Sequence, residues 1–435
     1  MFSQLRTLEE SGIYKNMIID TVDLESSIAL NTANQEQLYC TLCKKFAWAK
    51  DYIYYYVYVV YAVRDSIVPI LMSICEEDQQ TFTYKKGYEY LKKYESSRLN
   101  LAVIIPTCNR PKAIRQILTY AAVLYRRMGI DIIIYDSSNN ENTRKITEEM
   151  YNNGYYNVIY KKYTGLYDGF SLDHKIISAY QEFSDSYEYI WICRDGLIPI
   201  VDEIVEKIRY YAHKHVQCFI IDTKSRTENV EIEKEYASQE DCVALLAEQA
   251  TRLQTLGMLI VSSDFAQRLI DEVPLDEKTY SLWQMAAPFH LFAKEPYRII
   301  FFTKNVFAFN NGASEGHSWS KAEKALEQWA YRWNKVISNM PSEYDEAKEQ
   351  CRMVYTVDFH PFTFNNIMEM RGWEGLTLKL VKKYKTYLVQ ATNTPLWCFY
   401  VISCLPPIIA RGCNGFIKRY YKYAKYIRKF LLRKT

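Results

Sequence analysis

Asp195 is the residue in this sequence whose surroundings first suggest chemistry. It belongs to YIWICRDG (residues 189–196), where a mostly apolar run is followed at once by Arg194, Asp195 and Gly196. An ionised group at the end of a buried strand needs a partner, because taking charge out of water is costly. Such a carboxylate could bind a divalent cation. The plainer interpretation is an Arg–Asp pair that caps the following turn.

Two other apolar runs also end in polar residues. LAVIIP (residues 101–106) is followed by TCNRP, which contains Thr107, Asn109 and Arg110. IDIIIYDSS (residues 130–138) ends in Asp136, Ser137 and Ser138. Hydroxyl, amide and guanidinium groups can donate hydrogen bonds to a polar ligand. Serines in this position are also common helix caps.

The elements that position these side chains are strands alternating with helices. Further short apolar runs at residues 157–160, 189–193 and 216–222 are separated by helical patterns such as VDEIVEKIRYYAHK. This alternation predicts an α/β fold with a mostly parallel sheet and helices on both faces. The polar residues after the strands should then converge on one rim of the sheet, where such folds bind ligands.

The same reading divides the chain into three parts. Residues 1–97 are predicted to form an N-terminal helical region, and residues 98–340 the α/β domain. Further strands are expected at residues 257–263 and 298–303, and an amphipathic helix at 320–337. Residues 341–435 are predicted to be a C-terminal helical region that associates with membranes.

The order of these segments resembles a family 2 glycosyltransferase with the Rossmann-like GT-A fold. VIIPTCNRPKAIRQIL (103–118) is similar to that family's opening strand, loop and helix, and IYDSSNNENT (134–143) to its second-strand motif. GLYDGFSLDHKIISAY (165–180) stands in the place of a helix motif. WICRDG (191–196) falls where the D-x-D motif belongs, and LDEKTYSLWQ (275–284) resembles a later acidic segment.

The resemblance implies a nucleotide-sugar donor, with UDP favoured, and a set of residues that would hold it. The expected donor-binding residues are Pro106, Thr107, Asn109, Arg110, Asp136, Ser138, Lys175 and Arg194. The expected metal ligands, for Mg²⁺ or Mn²⁺, are Asp195 and His317. Cys193 replaces the first acid of D-x-D, and a thiol is a poor ligand for hard cations. Arg194 is therefore the alternative for neutralising the diphosphate.

The catalytic base is less clearly marked. An inverting transfer needs a group that accepts the proton of the acceptor hydroxyl. The family's acidic pair falls on Gln284 and Met285, neither of which can act as a base. The resemblance leaves Glu277 and Asp276 as the candidates, with His290 as a substitute. A non-catalytic relative is the remaining alternative.

Charge is unevenly distributed along the chain. Residues 375–435 contain 13 Lys or Arg and no acid, whereas residues 1–374 contain 41 bases and 51 acids. The 11 cysteines form no framework, and no secretory signal opens the chain, so a reducing cytosol is expected. Cys40 and Cys43 form an isolated CxxC. We interpret them as incidental residues of a helix and not as a metal or redox site.

The basic tail predicts contact with an anionic surface. Residues 386–410 carry no charge, but polar residues and Pro406-Pro407 weaken them as a membrane span. Residues 415–435 space aromatic and basic residues as in an interfacial amphipathic helix. The expected location is the cytoplasmic face of the cell membrane. Binding to nucleic acid, or to the acidic body of the protein itself, is the alternative.

Together these features predict a membrane-associated glycosyltransferase of bacterial cell-surface polysaccharide synthesis, such as capsule. Its acceptor would be a saccharide or a lipid-linked sugar, and the N-terminal helices could pair two copies of the chain. A sugar-1-phosphate nucleotidyltransferase is disfavoured, because IIPTCNRPK lacks the glycine-rich loop expected there. The third reading is a non-catalytic scaffold of a glycan-assembly complex.

Overall fold

A computed structural model describes residues 100–166, 172–211, 214–222, 232–303, 306–314, 322–373 and 375–412. The predicted N-terminal helical region, His317 and the tail from residue 413 lie outside these residues. The CxxC of Cys40 and Cys43 lies outside them as well.

The centre of the fold is an eight-stranded sheet. Its strands are β1 (Leu101–Thr107), β2 (Asp131–Asp136), β3 (Val158–Lys162), β4 (Tyr189–Ile192), β6 (Cys218–Asp222), β7 (Glu233–Tyr236), β8 (Leu259–Ser262) and β9 (Ile299–Thr303). The order across the sheet is β3-β2-β1-β4-β8-β6-β9-β7. Only β8 and β7 run antiparallel to their neighbours. Two short strands, β5 (Leu197–Pro199) and β10 (Phe307–Phe309), pair separately.

Helices connect these strands and continue beyond the sheet. Those within the α/β part are α1 (Pro111–Met128), α2 (Asn142–Asn152), α3 (Asp173–Phe183), α4 (Asp202–Tyr211), α5 (Gln239–Leu253), α6 (Ser263–Glu272) and α7 (Trp283–Phe292). Those that follow are α8 (Ala322–Leu326), α9 (Trp333–Ser338), α10 (Asp345–Val354), α11 (Phe364–Gly372), α12 (Leu378–Ala391) and α13 (Leu396–Cys404). The helix predicted at 320–337 is thus α8, a π-helical turn (Glu327–Arg332) and α9.

The sheet separates two hydrophobic cores, as expected for strands buried on both faces. Along β1, Leu101, Val103 and Ile105 belong to the core that also holds the buried side chains of α1. Ala102 and Ile104 face the opposite core, which is shared with α3, α5 and α7. The predicted α/β architecture, a mostly parallel sheet with helices on both faces, is therefore confirmed.

The C-terminal helices share the second of these cores. Tyr344, Tyr355 and Phe399 are fully buried in the same cluster as residues of β1 and β4. Tyr344 donates a hydrogen bond to the carbonyl of Phe289 in α7 at 3.0 Å. The division of the chain at residue 340 remains a prediction. Within the described ranges, no helix is both long and apolar enough to cross a bilayer.

Candidate active site

The ends of β1 and β4 bring Asp195 together with two predicted site residues that lie 88 and 85 positions before it in the sequence, Thr107 and Arg110. The hydroxyl of Thr107 donates to Oδ2 of Asp195 at 2.9 Å, and Nη1 of Arg110 pairs with Oδ1 at 2.9 Å. Asp195 is only 8% exposed. Its charge is therefore compensated by a guanidinium and a hydroxyl, which is the partnership that a buried carboxylate requires. The Arg–Asp pair exists, but Asp195 is paired with Arg110 and not with its neighbour Arg194.

Arg110 also stands at the start of helix α1. The helix begins at Pro111, whose missing N–H is no loss in the first turn. A helix N-terminus carries partial positive charge and unpaired backbone N–H groups. Arg110, whose side chain is 25% exposed, adds guanidinium N–H donors at the same point, with its charge shared with Asp195. This corner of the rim is therefore suited to an anionic ligand.

Asp136, predicted to bind the base, is bonded to protein groups. It is fully buried, and Oδ1 accepts from the backbone N–H and the hydroxyl of Ser138. Oδ2 accepts from the hydroxyl of Tyr160 at 3.2 Å. Asp136 thereby holds the loop after β2 in place, and the base-binding role predicted for it stays a prediction.

Asn109 and Ser138 connect the loops after β1 and β2. The backbone N–H of Asn109 donates to the hydroxyl of Ser138 at 2.7 Å, and its side-chain oxygen accepts from Asn140 at 3.0 Å. Asn109 adopts a left-handed φ of 55°, which asparagine tolerates better than most residues. Pro106 is paired with β2 near the end of β1. These residues shape the rim, although they were predicted as direct donor contacts.

Lys175 reaches the rim from helix α3 but lies beneath its surface. It is 2% exposed, and its ammonium donates to the Thr107 carbonyl at 2.8 Å and to the Ser137 hydroxyl at 3.1 Å. The Tyr163 ring centroid lies 5.5 Å away. Burial lowers the pKa of Lys175 to about 8. These bonds tie α3 to the ends of β1 and β2, and the phosphate contact predicted for Lys175 stays a prediction.

Two exposed cations remain at strand ends. Arg194, two residues after the end of β4, is exposed, and its predicted role in neutralising the diphosphate stays a prediction. Lys162, at the end of β3, donates to the carbonyl of Ser138. Sequence reasoning missed Lys162, although its position at the end of a predicted parallel strand was the available signal.

A segment after β10 closes one side of this cluster. The amide of Asn310 donates to the Asp195 carbonyl at 2.8 Å and to the Ala113 carbonyl of α1 at 2.9 Å. Gly312 lies so close to α1 that an added Cβ would approach the Lys112 carbonyl to 2.6 Å. The segment therefore fixes Asp195 relative to the start of α1.

The described residues do not fit a Mg²⁺ or Mn²⁺ site. Both oxygens of Asp195 are engaged by Thr107 and Arg110. Cys193 is fully buried, and burial raises the pKa of its thiol well above the ordinary value. In the described part of the chain, no three Asp, Glu, His or Cys side chains converge as metal ligands. The predicted ligand His317 lies outside that part.

The candidate bases contact other parts of the molecule. Glu277 has an 88% exposed side chain and pairs with Lys335 of α9 at 2.8 Å. That hydrogen bond lowers the pKa of Glu277, which makes it a weaker base. Asp276 is exposed and accepts from the backbone N–H of Lys278 at 2.7 Å. His290 is half-buried, and burial lowers its pKa.

Asp173 is a buried carboxylate that sequence reasoning did not single out. It begins α3, is 3% exposed, and accepts from the backbone N–H groups of Ser281 and Trp283. It thereby holds the start of α7, the helix that contains Gln284. Gln284 itself donates to the carbonyls of Leu253 and Gln254, both at 3.1 Å.

Comparisons with known proteins give weak likenesses in structure alone. No family model and no curated protein matches this chain. Among solved structures, a mannosyltransferase of Pyrobaculum calidifontis in complex with GDP-Man and Mn²⁺ is 14% identical, with a TM-score of 0.42, over 81% of this chain and 98% of that chain. S. aureus TarS (1–349) is 11% identical, with a TM-score of 0.40, over 70% of this chain and 90% of that chain. At these TM-scores the structural likeness does not assign a function. The functional proposal rests on the residues of the rim.

Proposed function

We propose that this protein is a glycosyltransferase that binds a nucleotide-sugar donor at the rim formed by β1, β2 and β4. The observation that carries the proposal is the convergence of Thr107, Arg110 and Asp195 at the start of helix α1. Thr107 and Arg110 belong to the segment that most specifically resembles the glycosyltransferase family, and Asp195 to the segment in the place of its D-x-D motif. In this proposal the diphosphate of the donor lies against Arg110 and the N-terminus of α1, and the base and ribose contact the loops after β1 and β2.

The roles of individual residues follow from their contacts. Asp195 accepts a hydrogen bond from Arg110 and so orients its guanidinium, which offers planar, multiple donors to a phosphate. Arg194 is a second exposed cation next to this pair. Asp136, Ser138 and Lys175 support the loops from below. Asp195 is thus proposed as a positioning residue for Arg110.

Charge on the leaving diphosphate is proposed to be neutralised mainly by Arg110 and Arg194. A divalent cation at Asp195 would have to share the carboxylate with Thr107 and with the positively charged guanidinium of Arg110. Dependence on Mg²⁺ or Mn²⁺ is therefore the part of the sequence-based proposal that most needs a direct test.

The acceptor and the location are proposed from the sequence. A basic C-terminal segment would place the rim near a lipid-linked or saccharide acceptor at the cytoplasmic face of a bacterial membrane. Capsule or a similar surface polysaccharide is the expected product class, with inverting stereochemistry by resemblance. Among the described residues, Asp276 and Glu277 make no contact with Asp195 or its partners. They are proposed as the catalytic base by resemblance alone.

The test is donor binding and turnover with a panel of UDP-, GDP- and dTDP-sugars, in Mn²⁺ and in EDTA. The full chain is compared with Asp195→Ala and with Asp185→Ala, a matched control at an exposed position in the loop before β4. We expect one donor to bind wild type and the control, and to bind Asp195→Ala at least tenfold more weakly.

Each result has a clear meaning. Binding that survives EDTA supports cationic side chains in place of a metal. Binding that requires Mn²⁺ and is lost in Asp195→Ala restores the metal role of Asp195. If no donor binds wild type, the glycosyltransferase proposal is wrong and the scaffold reading takes its place.

A further inference from the structure

Helix α13 is apolar on both of its faces. Phe399 and Ile402 are buried in the core shared with the sheet. On the other side, Trp397 is 64% exposed and Val401 is 54% exposed. A helix that is hydrophobic all round ordinarily has apolar surroundings on every side. Helix α13 has them on one side only within the described residues.

The exposed apolar surface continues after the helix ends. Beyond Pro406, Ile408 is 76% exposed and Ile409 is 50% exposed. We call Trp397, Val401, Ile408 and Ile409 the exposed apolar face. No charged residue occurs between Thr386 and Ala410, so nothing within this stretch would oppose its transfer to an apolar phase.

Basic residues flank this face in the sequence on both sides. Helix α12 exposes Lys379, Lys382, Lys383 and Lys385. Arg411 follows the face directly, and residues 413–435 contain eight further Lys or Arg and no acid. Exposed apolar side chains between clusters of positive charge match an anionic lipid surface, which offers acyl chains and negative headgroups together. An apolar protein partner would not require these bases.

We propose that the exposed apolar face inserts into the surface of an anionic lipid membrane. This inference deepens the membrane location given under the proposed function. It does not depend on which donor the rim binds. The residues of α13 are the anchor. Lys379, Lys382 and Lys385 of α12 and Arg411 supply attraction to the headgroups, while Lys383 is paired with Glu323 at 3.4 Å.

The dimensions of α13 suit shallow insertion. Nine residues of α-helix extend about 14 Å, less than half of the roughly 30 Å hydrocarbon core. One face of the helix is also held by the protein core. Tryptophan prefers the boundary between headgroups and acyl chains, which is the depth that Trp397 would reach from the protein surface.

The test is flotation of the full chain with vesicles of phosphatidylcholine, alone or with phosphatidylglycerol. The variant Trp397→Glu/Val401→Glu/Ile408→Glu removes the anchor. Tyr156→Glu is the matched control, because Tyr156 lies in the loop before β3 and is 64% exposed, the same as Trp397. We expect wild type and control to bind the mixed vesicles, and the triple variant to bind at least tenfold more weakly.

A second, conservative variant tests lipid contact without the risk that three new charges unfold the protein. Trp397→Phe leaves the face apolar, so binding should persist. Quenching of tryptophan fluorescence by brominated lipid should fall, because one of the eight tryptophans is then no longer at the bilayer. Unchanged quenching would place Trp397 away from lipid and overturn the inference.

Three further outcomes would contradict membrane insertion of the exposed apolar face. Equal binding of wild type and the triple variant means that the basic residues alone hold the membrane, and the inference is wrong. It is also wrong if wild type fails to float, or if the triple variant changes only the sedimentation coefficient, which would identify a contact between two copies. Donor binding measured on the same variants separates this result from the proposed function, since the triple variant should bind donor as wild type does.

Discussion

At the scale of single residues, Arg110 is the side chain whose geometry matters most for the proposed donor. Its guanidinium is fixed by Asp195 at 2.9 Å and lies at the start of α1. Arg110→Lys keeps the charge but loses the planar fork, so we expect donor affinity to fall about tenfold, or about 1.4 kcal/mol. Isothermal titration measures this. Arg115→Lys, at an exposed position on the same helix, is the control and should bind donor normally.

Lys175 gives a prediction about pH at the same scale. Its pKa is about 8 in the folded protein and 10.5 ordinarily, so between these values the unfolded chain binds more protons. Stability attributable to this group therefore rises with pH through that window and is lowest below about pH 8. Relative to Lys175→Met, the free energy of unfolding of wild type should increase by about 2–3 kcal/mol from pH 7.5 to pH 10. Urea titrations measure it, with exposed Lys382→Met as the control. A difference that does not change with pH would contradict the lowered pKa of Lys175.

At the scale of elements, Asp173 couples the start of α3 to the start of α7. Asp173→Ala leaves the partly buried N–H of Ser281 and the buried N–H of Trp283 without their acceptor, so we expect a loss of about 2–3 kcal/mol in the free energy of unfolding. Asp276→Ala removes an acceptor from one exposed N–H and should cost about 0.5 kcal/mol. Chemical denaturation of both variants compares the two. Equal losses would mean that Asp173 does not hold α7.

Some strands of the sheet are predictable from the sequence and others are not. The apolar runs that became β1, β2 and β4 predicted the rim, because continuous burial on both faces leaves a clear pattern. Strand β7, with the sequence EKEY and three exposed residues, carries no such pattern and was missed. The partner of Asp173 lies 110 residues away, and that of Asp195 lies 85 residues away. Reasoning from sequence neighbours therefore offered Arg194 as the partner of Asp195. It also could not show that Asp136 and Lys175 are hydrogen-bonded within the protein.

At the scale of the whole molecule, the C-terminal helices and the sheet share one core. Phe399 of α13 is fully buried and contacts Phe362, with ring centroids 5.8 Å apart. Phe399→Ala should cost about 3–5 kcal/mol. Because the cluster is continuous from Ile104 to Ala410, that loss should reduce hydrogen-exchange protection in β1 and β4 as well as in α12 and α13.

Hydrogen exchange read by mass spectrometry distinguishes this from two separate units. If only peptides of residues 341–412 lose protection in Phe399→Ala, the boundary predicted at residue 340 divides independently folding parts. Joint loss means that helix α13 and the rim belong to one cooperative body. Ile408→Ala, at an exposed position near the same end of the chain, is the control and should leave protection of the sheet unchanged. A single body matters for the proposed function, since a rigid connection between α13 and the sheet would hold the rim at a fixed height above the lipid and so restrict which acceptor hydroxyls reach the donor.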